Sequence, residues 1–114
     1  MPSWRRRLAS APEAGPGKGP ERASVAAFHA LISGRVQGVG FRYLACHRAL
    51  RLGLTGWVRN LDDGDVEVWA EGAREALADY RSWLQEGPPG AWIASVDAEK
   101  RDPTGRYATF TIET

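Results

Sequence analysis

An α+β sandwich is the fold this sequence predicts: an antiparallel sheet with two helices on one face. Three observations lead there. Strand and helix periodicities follow one another across residues 25–114 in the order strand, helix, strand, strand, helix, strand, strand. The first six of these elements make the split βαβ arrangement, and the seventh extends the sheet at an edge. The length, 114 residues, suits one domain, and a chain of that size favours a shallow site built from a loop over a deep enclosed one.

The elements can be justified in order. After Val25, Phe28, Ala30 and Ile32 alternate with His29, Leu31 and Ser33, the period of a strand with one face on a core. Residues Gly34 to Gly40 read as a turn. From Phe41 the apolar positions 41, 44, 45, 49 and 52 take helical spacing. A second strand covers about residues 55–61, and Asp62-Asp63-Gly64 is a hairpin turn. Val66, Val68 and Ala70 alternate along a third strand. Ala73, Ala76, Leu77, Tyr80 and Leu84 form one stripe of a second helix, which Gly87-Pro88-Pro89-Gly90 stops. A fourth strand is expected at about 93–101 and a last one over 107–112, separated by the turn Asp102-Pro103-Thr104-Gly105.

Residues 1–24 differ from the rest. They are rich in Pro, Gly, Ala, Ser and Arg, with Trp4 and Leu8 the only large apolar residues apart from Met1. Such a stretch buries too little surface to offset the entropy of ordering it, so a disordered extension is expected, followed by one domain over 25–114. The extension holds five basic and two acidic residues, a charge of +3; residues 25–114 hold ten basic and twelve acidic, a charge of −2. The folded part therefore lacks the broad basic footprint of a nucleic-acid binder. A single cysteine, Cys46, rules out an intrachain disulfide. No apolar run reaches the roughly 20 residues of a membrane span. Cytoplasmic location and no membrane partner are the expectation.

The segment Gly34-Arg35-Val36-Gln37-Gly38-Val39-Gly40-Phe41-Arg42 joins the first strand to the first helix. Three glycines in seven residues open backbone conformations closed to other residues. The turn feeds a helix N-terminus, whose amide hydrogens have no internal partner and favour an anion. Arg42, at the helix start, offers a planar guanidinium that binds two phosphate oxygens and stays charged. The spacing alone is also that of a plain strand-to-helix turn. It is neither the Gly-Lys-Ser/Thr phosphate loop nor the G-x-G-x-x-G dinucleotide fingerprint.

The full string goes further: Gly-Arg-Val-Gln-Gly-Val-Gly-Phe-Arg closely resembles the motif of the acylphosphatase family. So does Gly56-Trp57-Val58-Arg59-Asn60, with Asn60 eighteen positions after Arg42 and an acidic-glycine turn behind it. Gly87-Pro88-Pro89-Gly90-Ala91 and the Phe110-Thr111-Ile112 ending are similar to the family as well. The resemblance covers about residues 26–114. It implies a ferredoxin-like sandwich of five antiparallel strands and two helices. It also implies hydrolysis of acyl phosphates to a carboxylate and inorganic phosphate, with no cofactor and no metal. Carried over by position, it puts the phosphoryl group on Arg42 and the backbone amides of Gly38, Val39, Gly40, Phe41 and Arg42, and gives Asn60 the attacking water. The expected partner is a small acyl phosphate and the expected state a monomer. Leu61 stands where many members carry a small hydroxyl residue.

Other chemistry-bearing residues read as structural. His29 lies on the polar side of the first strand and His47 on the first helix, neither with a recognisable catalytic partner. Cys46 is a small packing residue of the helix. Asp62, Asp63 and Asp65 lack calcium-loop spacing and read as a solvated turn. Trp57 and Trp69 are expected to cover part of the sheet from the core side. A ferredoxin-like sheet can also be an RNA-recognition module, but the Lys/Arg-Gly-Phe/Tyr-Gly/Ala-Phe-Val consensus is not met, and no nucleic-acid partner is expected.

Overall fold

Apolar alternation along the first strand gives it one face on the core. In the computed structural model, which describes residues 25–114, β1 (Val25–Arg35) buries Phe28, Ala30 and Ile32 on one face. It pairs antiparallel with β3 (Val66–Ala73) on one side and β4 (Trp92–Arg101) on the other. β2 (Thr55–Asn60) adds to β3, again antiparallel, and β5 (Phe110–Ile112) adds to β2. The strand order is β4-β1-β3-β2-β5. Two helices cover the even-numbered face of the sheet: α1 (Phe41–Arg51) lies over β2 and β5 and buries Phe41, Ala45 and Ala49, and α2 (Arg74–Glu86) lies over β1, β3 and β4 and buries Leu77, Tyr80 and Leu84. The Tyr80 hydroxyl donates to the Ala45 carbonyl at 2.9 Å, tying one helix to the other, and burial pushes that phenol well above its ordinary pKa. The predicted extension over residues 1–24 lies outside the described residues. Among the described residues no helix is long and apolar enough to cross a membrane.

The sheet is mixed, which corrects the antiparallel expectation: β5 runs parallel to β2. The reason is the reach of the chain. β4 and β5 lie on opposite edges, four strand spacings apart, or about 19 Å at roughly 4.8 Å each. Residues 102–109 must span that width, and an extended chain of this length covers about 26 Å. Little is left to climb back along the sheet, so β5 starts at the end where β4 stops and runs the opposite way. The same crossing consumes residues 107–109, which is why β5 is shorter than the predicted 107–112 strand.

The crossing is pinned to the face of the sheet opposite the helices. Glu71 accepts from the Thr104 amide at 3.0 Å, the Thr104 hydroxyl at 2.6 Å, the Gly105 amide at 3.0 Å and Trp69 Nε1 at 2.6 Å. Trp57 Nε1 donates to the Tyr107 hydroxyl at 3.2 Å. Trp57 and Trp69 are direct cross-strand partners on this face and stand outside the core, contrary to the expectation. Their indole N–H groups need acceptors, which Trp57 finds in Tyr107 of the crossing and Trp69 finds in Glu71 of its own strand. Burial works to raise the Glu71 carboxyl, but its four donors hold it below the usual carboxylate value. A depressed folded pKa gives stability that is present above the unfolded value and lost as pH falls through the folded one. The wild type should therefore lose stability below about pH 4.3. In Glu71→Gln, denaturant melts at pH 7 should show a loss of about 1–3 kcal/mol and a flatter acid limb. Equal acid limbs in the two proteins would remove Glu71 from this account.

Candidate active site

The chain leaves β1 after Arg35 and enters α1 at Phe41, so residues 36–40 must turn sharply. Val36 and Phe41, both buried, anchor the two ends of this loop in the core. Gly38 and Gly40 take φ of 80° and 76°, and Gly40 is the residue that caps α1. A Cβ at either would meet nothing within 4 Å, so conformation rather than space requires glycine here. The amides of Gly38, Val39, Gly40, Phe41 and Arg42 bond no backbone or side-chain acceptor among the described residues. Five successive unpaired N–H groups at a helix N-terminus are the backbone setting that holds an anion.

Two side chains complete the cavity. Arg42 and Asn60 both line a cleft of about 180 Å³ together with Val36, Gln37, Gly38, Gly40, Phe41, Tyr43 and Ile112. Arg42 enters from the first turn of α1 and forms no ion pair or hydrogen bond among the described residues. That turn carries no acidic residue, although a helix N-terminus favours acids and disfavours cations. Asn60 enters from the end of β2, where it pairs with Val66. Its Oδ1 is buried without a hydrogen-bond partner among the described residues. A buried acceptor left unpaired costs about 1–3 kcal/mol. Arg42, a cation with no counter-charge, and Asn60, which carries an orphaned acceptor, thus line one cavity, each at a cost to the fold.

Of the residues expected at the site, Gly38, Gly40, Phe41, Arg42 and Asn60 line this cleft. Val39 does not: its side chain packs against the core while its amide stays unpaired. The other candidates lie elsewhere. Burial pushes the Cys46 thiol up, and Sγ rests 3.5 Å from the Phe110 carbonyl, a packing role. His29 bonds Glu67 at 2.6 Å on the open face of the sheet, a partner the sequence interval did not suggest. Among the described residues no group of three or more His, Cys, Asp or Glu is placed to hold a metal ion.

Gln37 is the residue that sequence reasoning passed over. Its Nε2 donates to the carbonyls of Leu61, at 2.8 Å, and Asp65, at 2.9 Å. The signal available was a side chain with two donors inside a glycine turn; its acceptors, 24 and 28 positions away, come from the tertiary fold.

The fold and this corner define a class: a small α+β domain whose strand–loop–helix turn can hold an oxyanion beneath a guanidinium. The family follows from comparison. The acylphosphatase family model matches residues 28–112, and the chain belongs to that family. It is 51% identical over 77 residues to the acylphosphatase of Trichormus variabilis, covering 68% of this chain and 76% of that protein. With the acylphosphatase of Methylococcus capsulatus it shares 45% over 84 residues, covering 74% and 91%. Among solved structures it resembles an acylphosphatase from Coxiella burnetii, with a TM-score of 0.78, 38% identity and coverage of 83% of this chain and 99% of that one. The acylphosphatase of Bacillus subtilis gives a TM-score of 0.75 at 34% identity, covering 78% and 99%.

Proposed function

We propose that this protein hydrolyses acyl phosphates to a carboxylate and inorganic phosphate at the cleft between the 36–40 loop and the end of β2. The observation that carries the reading is that one cavity is lined by the loop with unpaired amides, by Arg42 with its unpaired guanidinium and by Asn60, whose carboxamide oxygen has no partner among the described residues. Each role follows from what the group can do. The amides of Gly38 to Arg42 and the Arg42 guanidinium offer donors to the non-bridging phosphoryl oxygens, where charge accumulates in a loose transition state. Asn60 Oδ1 accepts a hydrogen bond from a water and holds it against phosphorus. The water oxygen bonds phosphorus as the bond from phosphorus to the acyl oxygen breaks, and the carboxylate departs with the bonding pair. A carboxylate is a good leaving group, so no protein acid is required. The water proton passes to a phosphoryl oxygen. This reading includes a small acyl phosphate as the substrate and a monomeric protein.

The test is hydrolysis of benzoyl phosphate followed by phosphate release. The expected outcome is turnover that inorganic phosphate inhibits competitively and that excess chelator leaves unchanged. An enzyme that chelator silences and divalent cation restores would contradict the metal-free reading. A protein that neither hydrolyses benzoyl phosphate nor binds inorganic phosphate would overturn it altogether.

A further inference from the structure

We infer that Gln37 is a positioning residue that sets the distance between the phosphate-holding loop and the water-holding Asn60; this rests on the proposed function. The loop faces conflicting demands. A loop that offers its amides to a ligand cannot also use them to anchor itself. The amides of Gly38 to Arg42 are unpaired among the described residues, so the loop must be located by side chains. Val36 and Phe41 supply apolar anchors, but apolar contact is weakly directional. Hydrogen bonds fix distance and angle. Among the described residues, the loop's polar ties to the rest of the sheet are the two made by the Gln37 carboxamide.

Where those ties end is informative. Gln37 precedes Gly38, the first of the unpaired amides, and Leu61 follows Asn60. The 2.8 Å bond therefore links the neighbour of one catalytic element to the neighbour of the other, and the 2.9 Å bond reaches Asp65, which precedes Val66, the strand partner of Asn60. Nor does the β2–β3 turn depend on them. The Leu61 amide donates to the Asp65 carbonyl at 2.8 Å, and the Gly64 amide donates to the Leu61 carbonyl at 3.2 Å. Both carbonyls that receive Gln37 thus already have a backbone donor. The hairpin closes by itself, and what the carboxamide adds is the register between loop and hairpin. Its two N–H groups each take one carbonyl across the closed turn, which holds the loop against sliding along β2 and against swinging away from it.

Register matters because in-line attack tolerates little misplacement; a shift of about 1 Å can cost on the order of 100-fold in rate. The test is a double-mutant cycle on the full chain, with benzoyl phosphate as substrate and inorganic phosphate as inhibitor. Gln37→Met keeps the length of the side chain and removes both donors. It is expected to lower kcat about 10- to 100-fold, with the inhibition constant of phosphate moving less than about threefold, since the amides and Arg42 remain. In an Asn60→Ala background, where there is no held water left to misplace, the same change should lower kcat less than about twofold. Gln37→Glu, which also offers no donor when ionised, should repeat the pattern. Effects that multiply across the cycle, or normal turnover in Gln37→Met, would refute the inference. So would a Gln37→Met protein that does not fold, because the bonds would then be structural. Wild-type protein inactive on benzoyl phosphate would instead refute the proposed function.

Discussion

Asn60→Ala and Arg42→Ala are each expected to lower turnover of benzoyl phosphate by about 10²–10³, the usual effect of deleting one key charge-stabilising or orienting group, and neither should weaken the fold. The second half of that result is the discriminating one. Asn60 Oδ1 is buried and unpaired, so truncation removes an unsatisfied acceptor rather than a bond. Arg42 sits in the first turn of α1 with no acidic neighbour there, where a cation opposes the helix dipole. Both residues are retained at a cost, and chemical melts of both variants should show midpoints equal to or above the wild type. Loss of activity accompanied by loss of stability would assign these residues to the scaffold instead. Retained turnover in both would dismiss them from the mechanism.

Gly56→Ala should produce a large loss of stability. Gly56 lies inside β2 at φ 136°, buried between Ala70 of β3 and Phe110 of β5. A Cβ there would stand 1.8 Å from the Trp69 carbonyl oxygen and 2.8 Å from its carbon. Both are backbone atoms of a paired strand, so no side chain can move aside. The Gly56 amide is also engaged with the Thr109 carbonyl at 3.1 Å. The expected cost is at least about 3 kcal/mol, against a total on the order of 5–15 kcal/mol for a domain of this kind. Gly64→Ala is the control. It also has positive φ, 98°, but open space around the new methyl, and should cost only about 1–2 kcal/mol. Similar midpoints for the two variants would show that the strand yields, contrary to this reading.

Much of this molecule is legible in its sequence because the determining forces are local. Apolar alternation at residues 28, 30 and 32 and at 66, 68 and 70 reports which face of a strand meets the core, and a helical stripe reports the same for α2. Phe41 had to be both a helix start and a core anchor for the loop to turn where it does. Gly38 and Gly40 were required by backbone conformation alone, and the two motifs placed Arg42 and Asn60 at a recognisable interval.

Three things were decided only by the assembled structure. The parallel pairing of β5 with β2 depends on how far residues 102–109 can reach across a finished sheet, a length that no local pattern encodes. The acceptor of the Trp57 indole, the Tyr107 hydroxyl 50 positions away, arrives only with the crossing segment. Gln37 is bound by carbonyls 24 and 28 positions away. Periodicity records whether a side chain is buried. It carries no information about which distant backbone groups will stand within hydrogen-bonding distance once the sheet has closed, because that is fixed by the packing of all the elements together.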